Sequence, residues 1–393
     1  MTIGTDQVLM ITDEAGMKQF ADENRDIDWL CFDTEFIGEK RFETLICLIQ
    51  VATEHGYYFI DPLKVRNLDL FLDIIEDPEI VKITHAGEND YRLLNAQFNV
   101  VPKNVLDTQI ISAFAGYKFP VSFGKLVESE LKIRLKKGYA VADWMSRPIK
   151  EKQLKYALDD VLYLKELMDG IIVKTDRLGR TEWALAECRE LEKPEYYFKD
   201  PNKEFLGSNL VKNLKTKEKL LLLRLTRWRE DEARARNYSK DMILSSKLIG
   251  QIIRSTSAGR DALLNNRRLP QRMMERHADM FLDMIQGEGT EEEMAVLAQI
   301  PRDHIENPRQ DLIMEMLSIL VKYKCLDANL TSSVVMPRSF IKKMKTDDNY
   351  FPDKLEIGWR REFLGEELIL WFRERNKMKL VFKDGEFSLT KGE

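Results

Sequence analysis

The sequence predicts an α/β domain built on a mixed sheet, followed by two small all-α modules. Three observations carry this expectation. Between residues 28 and 62, three runs rich in β-branched and aromatic residues follow one another across short polar turns. Helical and strand-like patterns then alternate to about residue 180, and beyond it only helical patterns are expected. Within that helical part the chain matches itself at an offset of 92 residues.

Taken in order, DWLCFDTEF, LICLIQVAT and GYYFIDP are the strand runs, separated by IGEKRFET and by Glu54, His55 and Gly56. Strands joined by such short turns pair as an antiparallel meander. NLDLFLDIIED reads as a helix, IVKITHA as a short strand and ENDYRLLNAQF as a helix. Further helices begin near DTQIISAF and SFGKLVESEL, and a long one is expected from Glu151 to Val173. Such an alternation places helices on the faces of a mixed sheet. In the helical part, NYSKDMIL from Asn237 matches NLTSSVVM from Asn329, and the match goes on to pair Leu248 with Phe340 and Ile249 with Ile341. An amphipathic helix precedes each copy and a second apolar-periodic stretch follows it (MFLDMI and LILWFR). The expected boundaries are therefore 1–180 for the α/β domain, 181–214 for a linker, 215–288 for the first helical module and 289–393 for the second.

Composition narrows the class. A chain of 393 residues with 44% hydrophobic and 32% charged residues is globular and long enough for two or three domains. No stretch approaches the ~18 consecutive apolar residues of a membrane span. MTIGTDQVLMITDEAGMKQF lacks the basic and apolar regions of a secretory signal. Cys31, Cys47, Cys188 and Cys325 are scattered, which argues against zinc sites and disulfide frameworks and predicts a cytoplasmic location. The net charge is -5, yet residues 215–276 hold 16 Lys/Arg against 7 Asp/Glu. That local excess is a footprint for a phosphate backbone. It reads equally as a solvated helix surface, because Glu230 with Arg234 and Glu232 with Arg236 form i, i+4 pairs.

The chemistry lies in acids. Asp33 and Glu35 are two apart on a predicted strand and so share a face. Two carboxylates held close repel unless a cation neutralises them, and hard cations prefer oxygen ligands. His85-to-Asp90 is a strand, a Gly-bearing turn and a helix start; capping accounts for Glu88 or Asn89 but less well for Asp90. Tyr156 and Asp160, four apart on a helix, share one face, with Asp159 pointing elsewhere. Taken singly, each has an ordinary structural reading: a surface pair, a helix cap, a tyrosine at the rim of a core.

Together, the DTE of residues 33–35, the HxxxxD of 85–90 and the YxxxD of 156–160 resemble the three motifs of the DEDD 3′–5′ exonucleases, in the tyrosine-bearing subclass. LIQVA, VLDTQIISAF and DWMSRP bring the likeness closer to the ribonuclease D family, and GWRREFLGEELILWF extends it to tandem helicase-and-ribonuclease-D C-terminal (HRDC) domains. The resemblance implies a ribonuclease-H-like fold and a metal-dependent 3′–5′ exoribonuclease. It implies two divalent cations, Mg²⁺ or Mn²⁺, on Asp33, Glu35, Asp90 and Asp160, with Tyr156 aiming the attacking water. An unperturbed phenol, with a pKa of ~10, is a poor base at neutral pH, so Tyr156 is given orientation and not proton removal. The expected product is a 5′-mononucleotide, and the expected partner is RNA with a single-stranded 3′ end, such as precursor tRNA, bound by a monomer. Candidate substrate contacts are Thr34, Phe36 and His85 near the terminal nucleotide, Lys136 and Arg147 on phosphates, and Arg224, Arg227 and Arg234 along an RNA backbone. Two alternatives stay open: a DNA 3′–5′ exonuclease, and a non-catalytic nucleic-acid-binding scaffold.

Overall fold

The computed structural model describes residues 4–136, 138, 142–300 and 307–391. It contains two compact units. One comprises Met1–Glu35, Ile46–Tyr197 and His304–Glu393; the other comprises Phe36–Leu45 and Phe198–Asp303.

The first unit is built on a six-stranded mixed sheet in the order β1-β4-β3-β2-β5-β6. Its strands are β1 (Val8–Ile11), β2 (Trp29–Ile37), β3 (Leu45–Thr53), β4 (Gly56–Ile60), β5 (Val81–Thr84) and β6 (Val105–Asp107). β3 and β4 pair antiparallel, as the meander predicts, whereas β1 with β4, β2 with β5 and β5 with β6 are parallel. β1 and β6, of four and three residues, were not expected from the sequence.

Alternation along the strands assigns each face. Leu30, Phe32, Ile49, Val51, Tyr58 and Ile60 join one core with Met17 and Phe20 of α1 (Glu14–Glu23), Phe71 and Ile75 of α2 (Asp69–Glu76) and Tyr91 and Leu94 of α3 (Glu88–Phe98). Each fully buried aromatic contributes roughly 1.5–3 kcal/mol by leaving water. Cys31, Ala52 and Ile83 lie in the opposite core. They pack there with α4 (Thr108–Phe114), α5 (Phe123–Leu131), α7 (Leu164–Arg177) and α8 (Thr181–Cys188). Between α5 and α7 lies α6 (Glu151–Leu162). The long helix expected from Glu151 to Val173 is thus broken at Tyr163, with no Pro or Gly to mark the turn.

That second core does not end at residue 188. Leu317, Val321, Val335, Trp359, Ile369 and Phe372 belong to it as well. The described residues 307–391 therefore share a core with the α/β domain and do not stand as a separate module. The expected all-helical ending also needs correction. Met378–Lys383 and Glu386–Lys391 form an antiparallel hairpin, turned through Asp384 (φ 53°) and Gly385 (φ 84°). Two successive left-handed residues are what a tight hairpin turn requires, and Asp-Gly supplies them.

In the second unit, the helices Thr216–Arg236, Ser246–Ser257 and Gln271–Gln286 close around Leu221, Leu225, Ile252, Ile253 and Phe281. Residues 36–45, the β2–β3 connection, join this unit. Asn237 Oδ1 accepts from the backbone N–H of Phe42 (3.2 Å) and Glu43 (3.0 Å), and Ser239 N–H donates to Lys40 O (3.1 Å). No helix among the described residues is long and apolar enough to cross a membrane.

Candidate active site

Strand β2 presents Asp33 and Glu35, α3 presents Asp90, and α6 presents Tyr156 and Asp160. One carboxylate oxygen each from Asp33, Glu35 and Asp160 lies within 4.8 Å of the others. Asp90 is buried, and its carboxylate accepts a hydrogen bond from the Thr34 hydroxyl.

The turn into α3 is tightly built. Ala86 adopts φ 56°, and a Cβ on Gly87 would sit 2.5 Å from Thr84 Oγ1, so glycine is required there. The buried Asp107 carboxylate accepts from the N–H of Ala86 (3.1 Å) and Gly87 (2.8 Å), and from Gln109 (2.8 Å) and Ile110 (3.2 Å) at the start of α4. One side chain thereby fixes two helix starts, including that of the helix carrying Asp90.

None of the four carboxylates has an ion-pair partner among the described residues. Burial, reinforced by Asp90, Asp160 and Glu35, holds the Asp33 carboxyl well above the usual range. Burial and then Asp160 and Asp90 push Glu35 up to about 9. Burial and then Asp159 push Asp160 up to about 7, against the hydrogen bond from Tyr156. Burial pushes Asp90 up to about 6, against the Thr34 bond. An all-oxygen set of acids, crowded and uncompensated, fits hard divalent cations. Tyr156 donates to Asp160, and burial with the neighbouring acids raises its pKa, so the phenol keeps its proton.

The candidate substrate contacts divide. Phe36 is exposed. Lys136 is exposed and acts electrostatically on Asp159. The hydroxyl of Thr34 is engaged with Asp90. His85 is engaged at both ring nitrogens: Nδ1 lies 2.8 Å from Thr108 Oγ1 and Nε2 3.1 Å from Val121 O. Burial lowers its pKa, and Nε2 donates to the Val121 carbonyl, which can only accept. His85 is thus a strut between β5 and the α5 approach and has no free nitrogen for substrate.

Arg147 is bound into Asp61 and three backbone carbonyls. Arg224 is locked on Glu293 through two 2.7 Å bonds, with further bonds to Met284, Gly287 and Glu288 carbonyls. Arg227 pairs with Glu292 (2.8 Å) and Arg234 with Glu230 (3.2 Å). By contrast, Arg254 and Arg268 make no ion pair among the described residues and line one recess with Gln251, Ser255 and Asn266. Sequence reasoning missed Asp107, Asp61 and Trp144. VLDTQ and DWMSRP contain two of them, but no spacing rule links either to the acids.

Comparison with known proteins follows the same division. A family model for 3′–5′ exonucleases matches residues 8–175, and one for the HRDC domain matches residues 218–285. Ribonuclease D of Zymomonas mobilis is 28% identical over 393 residues, covering 97% of each chain. That of Nitrobacter hamburgensis is 27% identical over 344 residues, covering 85% of this chain and 87% of the relative. Among solved structures, Escherichia coli RNase D, an exoribonuclease involved in structured RNA processing, matches with a TM-score of 0.80 at 24% identity, over 93% of this chain and 99% of that one. That last likeness is one of fold.

Proposed function

This chain is a homologue of ribonuclease D and a metal-dependent 3′–5′ exoribonuclease, and from that premise we propose that it trims single-stranded 3′ ends of structured RNAs, precursor tRNA among them, one nucleotide at a time. The observation that carries the reading is the cluster of Asp33, Glu35 and Asp160, with Asp90 acting on it electrostatically and no cationic partner among the described residues, set against a protonated phenol.

Asp33, Glu35, Asp90 and Asp160 would hold two divalent cations, magnesium or manganese. Bound there, such ions supply Lewis-acid polarisation of the phosphate and make water acidic enough to attack at neutral pH. The protein supplies position. Tyr156 O–H donates to Asp160, which holds the phenol beside the acids, where it would aim the attacking water. Thr34 holds one oxygen of Asp90, and Asp107 holds the helix start beneath it. Water adds to the terminal phosphorus as the bond to the preceding 3′ oxygen breaks, releasing a 5′-mononucleotide. Backbone contacts of a folded RNA fall to the unpaired Arg254 and Arg268 of the HRDC unit in preference to the internally committed Arg224. We assign a second HRDC-like copy to the segment expected at 289–393, and a monomer suffices for every step.

The test is a 3′-tailed RNA hairpin labelled at its 5′ end, incubated with manganese, magnesium or chelator. A metal-dependent ladder of one-nucleotide steps, absent with Asp33→Ala, is expected. Loss of a matched DNA with the RNA left intact would move the assignment to a DNA exonuclease. Binding without cleavage in either metal would move it to a scaffold.

A further inference from the structure

Arg147 does its work inside the nuclease fold. Its guanidinium grips Asp61 with two bonds, Nε to Oδ2 at 2.7 Å and Nη2 to Oδ1 at 2.8 Å. Its other N–H groups donate to the carbonyls of Cys47 on β3 (2.7 Å), Trp144 (2.7 Å) and Ser146 (3.1 Å). The Asp61 side chain is 2% exposed and that of Arg147 19%. Asp61 directly follows β4, so the pair ties residues 143–148 to two strands of the sheet. The same segment is tied to the helix that carries Tyr156: Gln153 Nε2 donates to Asp143 O at 3.1 Å, and Asp143 caps Met145 and Ser146.

Between these ties sits Trp144, 1% exposed, with its ring centroid 6.4 Å from that of Tyr156. Its indole N–H has no hydrogen-bond partner. Packing and the clamped backbone therefore hold the indole, with no hydrogen bond of its own ring. A tyrosine has only two side-chain torsions, and a wall on one side of the ring removes the rotations that would swing its oxygen away. A displacement of about 1 Å at a reacting group costs on the order of 10²-fold in rate.

We propose that the Asp61–Arg147 pair, acting through Trp144, positions the Tyr156 phenol over the carboxylate cluster. Asp61, Arg147 and Trp144 are then positioning residues. None of them is among the four clustered acids, so the metal-holding groups stay intact when they are changed. This rests on the reading of Tyr156 as the group that aims the attacking water.

The experiment uses the full chain with manganese and a short 5′-labelled single-stranded RNA, measuring kcat and KM separately. Tyr156→Phe is expected to lower kcat by about 10²-fold. Arg147→Ala and Trp144→Leu are each expected to lower kcat by about tenfold or more, with KM within about twofold of the parent. In a Tyr156→Phe background the same changes should slow turnover by no more than about twofold, because the ring they position has already lost its oxygen. Arg147→Ala leaves a buried carboxylate unpaired and risks unfolding; Trp144→Leu keeps the ion pair and carries the test alone if it does. Manganese should raise the melting temperature of each folded variant as it does the parent, which a collapsed site would not allow. Equal slowing in the parent and in the Tyr156→Phe background overturns the proposal. So does a rise in KM with kcat unchanged, which would mean that Arg147 holds RNA. Full activity of Tyr156→Phe would instead remove the premise about the tyrosine, and the proposal with it, while leaving the nuclease itself demonstrated.

Discussion

The helices Thr216–Arg236 and Pro308–Asp327 begin 92 residues apart, and so do the elements that follow them. The four-residue helices start at Lys240 and Ser332, and the next helices at Ser246 and Arg338. Each long helix leads into an asparagine in the left-handed region, Asn237 at φ 49° and Asn329 at φ 47°. The fates of the two copies differ. The first closes its apolar residues on one another around Leu225, Ile252 and Phe281. The second gives Leu317, Trp359 and Phe372 to the core of the nuclease. Even the shared corner attaches differently: Ser239 N–H donates to Lys40 O (3.1 Å), whereas Thr331, its counterpart, donates through its hydroxyl to Tyr117 O (2.8 Å). A repeat preserves backbone corners and helix starts; which core the apolar side chains enter is decided by what they meet.

The sharpest way to break this contrast is Trp359→Ala. Trp359 lies edge-on to Phe114 at 4.9 Å and stacks on Trp183 at 5.9 Å, beside the Arg360–Glu187 pair at 2.7 Å. The change should cost about 3–5 kcal/mol. Hydrogen exchange resolved by peptide should show it in α4 and α8 and leave residues 216–285 as they were. Uniform loss of protection across both units would end the distinction. Arg224→Ala is the converse experiment. It strands the 9%-exposed Glu293 and should cost about 2–3 kcal/mol in the second unit alone.

Acidity separates the units next. The four acids of the first unit titrate higher folded than the ~4 of an unfolded carboxyl, so folding takes up protons. Their contribution to stability is complete below about pH 4 and is lost as pH rises through about 6 at Asp90, 7 at Asp160 and 9 at Glu35. With chelator, exchange protection of the first unit should fall between pH 5 and 9. A divalent cation should flatten that slope by replacing the protons. A steeper slope in the second unit, whose Glu293 is held low by Arg224, would contradict the assignment.

The smallest effect is at the two corners. Glycine accepts a left-handed backbone without strain, so Asn237→Gly and Asn329→Gly test the side chains alone. Asn237 should lose about 1 kcal/mol with its bonds to Phe42 and Glu43, and Asn329 only a few tenths, by chemical denaturation.

The sequence made the meander legible because three runs of β-branched and aromatic residues stand between polar turns. It also made the acid and tyrosine positions legible, because spacings of two on a strand and four on a helix are local geometry. Asp61 and Arg147 are 86 residues apart, and no local pattern announces their meeting. β1 and β6 are too short for alternation to register. The closing hairpin did carry its sign, Asp384-Gly385 between alternating residues, yet it lay inside a stretch already read as helical. The repeat revealed two copies, but apolar residues at helical spacing look alike whether they face their own module or another domain.

One core joins Cys31 to Phe372, and that has consequences for the order in which the chain takes shape. A ribosome adds roughly 5–20 residues per second. The nuclease sheet thus emerges many seconds before the helices that cover one of its sides. Ile111, Phe114 and Leu164 wait with incomplete cover until residues 313–372 have followed them out. The first helical copy, whose core draws on neighbours in sequence, can settle while still tethered. A nuclease whose scaffold closes only when residues 313–372 arrive is one that a message interrupted before them cannot release in finished form.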